Sequence, residues 1–264
     1  MDIKNDVALV VVSCDAYKDA WQTFVDCFKK YWPNCSLKKY VITNNKPFVS
    51  PDYTTIMTGE EISWSRKVRA AMQKIKETYL LLVLEDYFLS KRINEEEINE
   101  IVSFVSNNDI DYFRLKPYKY MKGINKRFAY ISNKNIYGKN LQPAIWKKEC
   151  ITKCLFSDDF SAWEFESRQK NKSASKVVGI DCCSKKTIFK YENGILQGKW
   201  YGPAIKNIRK KVISINTNSR GFVPKKIIIK RAFFLFVYKI IPSWLILKLR
   251  KIFEKRGMKF VTKD

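Results

Sequence analysis

Tyr79 to Leu84 (YLLLVL) is an unbroken apolar run that ends directly on two carboxylates, Glu85 and Asp86. A short run of this kind reads as a strand buried on both faces, and such a strand needs a parallel sheet covered by helices on each side. Residues 7–13 (VALVVVS) make the same demand and end on Cys14-Asp15. Residues 39–43 (KYVIT), 54–58 (TTIMT) and 112–115 are the further strands that the pattern predicts. Trp21, Phe24, Val25 and Phe28 recur at helical spacing, and Trp32-Pro33 closes that segment. Val68, Met72 and Ile75 share one face of a helix that Ser63 can cap, and residues 95–105 form a third amphipathic helix. Strands and helices in this order predict an α/β fold. With 264 residues, 46% of them apolar, the chain can bury one sizeable core.

The formal net charge of +24 is unevenly placed. Residues 1–118 carry 16 Lys+Arg against 17 Asp+Glu, whereas residues 119–264 carry 34 against 9. From Lys206 onward, 17 basic residues face only Glu254 and Asp264. This division predicts a well-patterned body over 1–205 and a basic amphipathic C-terminal region over 206–264. In residues 225–260 apolar side chains are interleaved with Lys and Arg, and Pro242 splits the segment. Its uncharged stretch, 232–238, is far short of the ~20 residues that cross a bilayer. The pattern fits one or two helices lying in an anionic membrane interface. It also fits a helix packed on the body with its basic side in water.

Basicity of this size raises a nucleic-acid reading, yet the chain has no RRM consensus and no paired zinc ligands, so no specific nucleic-acid partner is expected. A general polyanion-binding protein stands as the alternative. Seven cysteines, an odd count, in a chain whose first residues lack a secretory pattern predict reduced thiols and a cytoplasmic location. Cys150 and Cys154 can meet on one helix face, but without histidine or a second cysteine pair no zinc site is expected.

The candidate site residues cluster where strands end. In an open parallel sheet, ligands bind beyond the carboxyl ends of the strands. Glu85 and Asp86 sit there, and adjacent carboxylates suit a hard divalent cation that shares its shell with substrate phosphates. A helix cap or a surface turn is the other reading of such a pair. Asp15 can accept hydrogen bonds from a ribose or base while Tyr17 stacks on the base; equally, Asp15 can cap the helix that follows. Trp64-Ser65-Arg66 offers Arg66 as a phosphate clamp or as an exposed helix-start residue. Asp158-Asp159 and residues 163–166 (WEFE) hold the clustered acids of the basic half. Glu164 or Glu166, with Asp159 behind them, can act as the base for an attacking hydroxyl, or can be surface acids. In Gln142-Pro143-Ala144-Ile145-Trp146, Gln142 and Trp146 suit sugar hydroxyls and a sugar face, or a packed turn. No Gly-rich phosphate loop follows the first strand, which lowers the reading as another sugar-nucleotide enzyme on the same α/β core.

Taken together, Ser13-Cys14-Asp15-Ala16-Tyr17, Trp64-Ser65-Arg66, LLLVLEDYFL, LQPAIW and WEFE resemble, in their order, bacterial glycosyltransferases of the GT-A type from capsule and O-antigen clusters. The resemblance covers about residues 5–205. It implies a GT-A-like fold, a Rossmann-like nucleotide-binding sheet merged with an acceptor-binding half. It implies a hexosyltransferase-type enzyme that uses a nucleotide-diphosphate sugar, UDP-linked, and a lipid-linked saccharide acceptor. It implies Mg²⁺ or Mn²⁺ held by Glu85 and Asp86, nucleotide contacts from Asp15, Tyr17 and Arg66, and sugar contacts from Trp64, Gln142, Trp146 and Trp163. The basic tail would keep such an enzyme where its acceptor lies, peripherally on the inner face of the cell membrane. Glu-Asp-Tyr departs from the family's Asp-x-Asp, and the late histidine that many GT-A enzymes give to the metal is missing from this chain.

Overall fold

The computed structural model describes residues 6–240 apart from 49, 61, 119–120, 132–137, 156–158, 169–178 and 212, and omits the side chains of 166–168 and 234–240. The strands predicted from apolar runs are present as β1 (Val7–Val12), β2 (Lys38–Thr43), β3 (Thr54–Met57) and β4 (Tyr79–Leu84). Between them lie α1 (Lys18–Tyr31) and α2 (Trp64–Met72). The predicted cap of α2 is made: Ser63 Oγ accepts from the Arg66 N–H at 3.2 Å. The chain continues through β5 (Tyr87–Leu89), α3 (Glu95–Asn107), β6 (Tyr112–Arg114), β7 (Met121–Gly123) and β8 (Phe128–Ile131). It then forms β9 (Ala144–Lys147), α4 (Lys148–Cys154), α5 (Ala162–Arg168), β10 (Asp181–Ser184), β11 (Tyr191–Asn193), β12 (Ile195–Leu196) and β13 (Lys199–Trp200). Two helices follow, α6 (Gly202–Lys210) and α7 (Lys225–Ile240).

The main sheet has the order β3-β2-β1-β4-β9-β6-β10-β8-β7. Its first four strands are parallel, in the register Val10↔Tyr40 and Val10↔Leu82 across β1. β9 enters antiparallel between β4 and β6, β10 runs parallel to β6, and β8 and β7 finish the sheet antiparallel. The fold is therefore mixed α/β with a mostly parallel centre. Alternate side chains feed two cores, as a period of two requires. Leu9, Val11, Leu81, Val83 and Phe113 pack under α1 and α3, while Val10, Leu80, Leu82, Tyr112 and Trp146 pack under α2, α4 and α5.

Ile205, Ile208, Ile213 and Ile215 join the first of these cores, so the chain just beyond residue 205 packs on the body. α7 carries exposed Ile229 and Phe233 among lysines and an arginine. Residues 241–264, with Pro242, lie outside the described residues. Among the described residues no helix is long and apolar enough to cross a membrane. All seven cysteines are free thiols, and Cys150 and Cys154 face one another within α4.

Candidate active site at the strand ends

The chain runs outward from β1 to β3 and returns to β4 beside β1, so the strand order reverses between β1 and β4. A crevice forms outside the strand ends at such a point. Ser13-Cys14-Asp15 enters it from β1, and Glu85-Asp86 from β4.

Both carboxylates are buried, at 7% and 8% exposure. Burial, reinforced by the neighbouring Asp86, pushes Glu85 up to about 8. Burial pushes Asp86 up to about 7, opposed by the Ile195 N–H that donates to its Oδ2 at 3.3 Å. The Gly194 N–H donates to the Asp86 carbonyl at 2.8 Å, and the Asn193 amide, turned with its nitrogen inward, donates to Oδ2 at 2.5 Å. Position 194 has to be glycine, because a Cβ there would lie 2.2 Å from the Phe88 ring. Asp86 is thus held by the turn from β11 into β12.

Lys67 supplies a buried cation with no local signal in the sequence to mark it. Its Nζ donates to the Ser13 carbonyl at 2.5 Å, and its charge favours the ionised forms of Glu85 and Cys14. The chosen neighbour, Arg66, points elsewhere: its Nε is 3.5 Å from Asp159 Oδ2, on the surface. One residue turns a helix by about 100°, so Arg66 and Lys67 face different surroundings. Arg69 also pairs with Asp159, at 3.2 Å, so in this structure Asp159 lies between two arginines of α2.

Asp15 does not cap α1, which starts without a side-chain cap. Its carboxylate accepts the backbone N–H groups of Asn44 at 3.1 Å, Asn45 at 3.0 Å and Lys46 at 3.3 Å, joining the tips of β1 and β2. Tyr17, whose hydroxyl is pushed up by burial and then by Glu85 and Asp86, lies under the guanidinium of Arg220 at 4.7 Å. Arg220 comes from the basic region after residue 205. It donates to Asp19 Oδ2 at 2.7 Å, to the Ala16 carbonyl at 2.8 Å and to the Gly198 carbonyl at 3.1 Å, and it covers Trp200 at 5.3 Å. No local pattern marks Arg220 in the sequence.

The remaining candidate residues stand in varied surroundings. Glu164 accepts the Ser161 N–H at 2.7 Å while Ser161 Oγ accepts the Glu164 N–H at 3.3 Å. This reciprocal box starts α5, and its Ser-x-x-Glu spacing was legible beforehand. Trp146 is wholly buried in β9, with its ring 4.5 Å from Tyr112 and 6.0 Å from Phe165, so it fills the core and faces no sugar. Trp64 packs half-buried on Phe165 at 5.2 Å, and Trp163 is exposed. Gln142 accepts from Arg114 Nη2 at 3.0 Å, near the tip of β6. The side chain of Glu166, and the whole of Asp158, lie outside the described residues.

No family model matches the chain, and no curated protein matches it. Among solved structures it is similar to residues 1–349 of S. aureus TarS in complex with UDP-GlcNAc, at 12% identity and a TM-score of 0.43, over 70% of this chain and 57% of that one. A UDP-glucose pyrophosphorylase complexed with UDP-glucose is similar at 6% identity and 0.44, over 79% and 98%. A nucleotide-diphospho-sugar transferase, so described, from Desulfovibrio desulfuricans is similar at 7% identity and 0.39, over 62% and 75%. The chain thus spans a little over half the length of the TarS structure.

Proposed function

We propose that this protein is a GT-A-like glycosyltransferase that moves a sugar from a UDP-linked donor to a lipid-linked saccharide acceptor in surface polysaccharide synthesis. The observation that carries this reading is the buried pair Glu85-Asp86 at the tip of β4, beside the tip of β1, where the strand order reverses. In this reading Tyr17 meets the nucleoside from the loop that Asp15 ties to the tip of β2, and Lys67 and Arg220 give fixed positive charge at the diphosphate. Charge developing on the leaving group is then met by dipoles and cations already in place.

A divalent ion fits the donor set. The Glu85 carboxylate accepts from its own backbone N–H and from no other described residue, and two buried carboxylates raised above their ordinary range gain from a cation. Among the described residues no third His, Cys, Asp or Glu completes a cage, so substrate oxygens would have to. Glu85 and Asp86 would hold Mg²⁺ or Mn²⁺, which supplies charge stabilisation at the diphosphate. The role of base passes to Glu166 in this reading, since the carboxylates of Glu164 and Asp159 are engaged. Exposed Ile229 and Phe233 among basic residues on α7 support a peripheral contact with the inner membrane leaflet.

The test is calorimetry with UDP and GDP, each with and without Mn²⁺, on the wild type and on Asp86→Ala. Binding of UDP that needs both Mn²⁺ and Asp86 supports the reading. Binding without the metal removes the assigned role of Glu85-Asp86. A folded protein that binds neither nucleotide overturns the donor assignment.

A further inference from the structure

Arg114 stands at the carboxyl tip of β6, only 7% exposed, and no carboxylate among the described residues pairs with it. Its Nη2 donates to the neutral oxygen of Gln142 at 3.0 Å, and its guanidinium lies 5.2 Å from the Tyr118 ring. Its Nε is buried with no acceptor. Two residues on, in the bend that follows the strand, comes Lys116. It is half-buried and also lacks an acidic partner among the described residues. Burial, and then the charge of Arg114, push Lys116 down to about 8.

The nearby cations are treated differently by the fold. Lys139 pairs with Asp181 at 2.5 Å, Lys147 with Asp109 at 2.6 Å, Lys186 with Glu97 at 2.6 Å, and Arg127 with Glu97 and Glu100. A desolvated guanidinium without a counter-charge is expensive to keep, and one held beside a second cation is more so. An arrangement of this kind is stable when a ligand brings the missing anion.

We propose that Arg114, Lys116 and Gln142 form a subsite for an oxyanion, a phosphate or carboxylate carried by the sugar acceptor. The word acceptor rests on the transferase reading; the anion site rests on the residues themselves. β6 is the second neighbour of β4, so its tip lies two strand spacings, about 10 Å, from that of β4. That is farther than a diphosphate bound at Glu85-Asp86 needs to reach, and it lies on the side of the sheet away from the nucleoside residues. Arg114 supplies the paired N–H geometry that oxyanions favour, Lys116 supplies point charge, and Gln142 fixes the guanidinium.

The experiment is calorimetric titration of inorganic phosphate, glucuronate and neutral glucose, with UDP in excess, into the wild type, Lys116→Gln and Arg114→Gln. UDP itself is titrated into the same preparations. The expected result is that one anion binds the wild type, glucose does not, and both variants bind that anion about tenfold or more weakly with UDP affinity unchanged. Phosphate as the better ligand assigns a phosphorylated acceptor, and glucuronate a carboxylated one. Should Arg114→Gln fail to fold, Lys116→Gln carries the test. Absence of anion binding in the wild type, or undiminished binding in Lys116→Gln, overturns the proposal. Anion binding in a protein that ignores UDP leaves the subsite standing and removes the transferase reading.

Discussion

The Nε of Arg220 sits 2.7 Å from Oδ2 of Asp19, a residue 201 positions earlier, while its guanidinium plane covers Tyr17. The pair is largely shielded, at 12% and 15% side-chain exposure. It ties a distant segment to the first turn of α1, just after the loop that ends β1.

Arg220→Met leaves the Asp19 carboxylate without its partner in a shielded place. We expect a loss of about 2 to 4 kcal/mol in urea unfolding, with UDP affinity reduced about tenfold or more. A variant with unchanged stability and unchanged UDP binding would show that the contact contributes nothing to the crevice.

Glu85 and Asp86 carry a linked pH effect. Their folded values, about 8 and about 7, lie above their ordinary ones. The folded protein therefore keeps protons that the unfolded chain has released, and stability from these groups falls as pH rises from about 4 to about 8. Glu85→Gln should melt about 3 to 6 °C above the nucleotide-free wild type near pH 8.5, and the gap should narrow near pH 5. Melting curves at the two values check this; a gap that widens toward acid would contradict the assigned direction. The same variant should lose transfer activity.

Ser161 and Glu164 are expected to matter for stability alone. Ser161→Ala and Glu164→Ala should each cost about 1 kcal/mol by loss of the capping box. Turnover of UDP-sugar by the two variants should stay within about twofold of wild type, a difference of under 1 kcal/mol. A large fall in turnover for Glu164→Ala with unaltered melting would return the role of base to Glu164.

Adjacent residues on α2 should behave in opposite ways. Arg66→Ala removes an exposed ion pair and should change stability by no more than about 0.5 kcal/mol. Lys67→Met removes the buried donor to the Ser13 carbonyl and should cost about 1 to 3 kcal/mol. Denaturant midpoints of the two variants, measured side by side, decide it.

The parallel half of the fold was legible because its strands are buried on both faces, as 7–12 and 79–84 are, and because Ser63 and the apolar stripe of α2 are local signals. Neither β9 as a strand nor the burial of Trp146 within it is marked in the sequence, and the reason is the same. Its partners β4 and β6 are remote in sequence, and an aromatic in a short motif does not reveal which side is covered. The acid pair Glu85-Asp86 was visible because it abuts an apolar run. Arg220 and the Asn193–Ile195 clasp on Asp86 were not, since their contacts with Asp19, Tyr17 and Asp86 each span more than a hundred residues. Which of Arg66 and Lys67 turns inward is a matter of one residue's rotation that the sequence does not fix, whereas the capping box of Ser161 and Glu164 has a spacing visible in the sequence.

The clasp on Asp86 and the Arg220 contact also set an order of events during synthesis. By residue 118 a nascent chain has all four strands of the parallel half and both carboxylates, yet it has nothing to hold Asp86 and nothing over Tyr17. Domains begin to form from the amino terminus as the chain emerges, so the crevice stays open on one side until position 220 is free of the ribosome. Competence in this protein arrives late in translation, when most of the sheet that frames it has long been made.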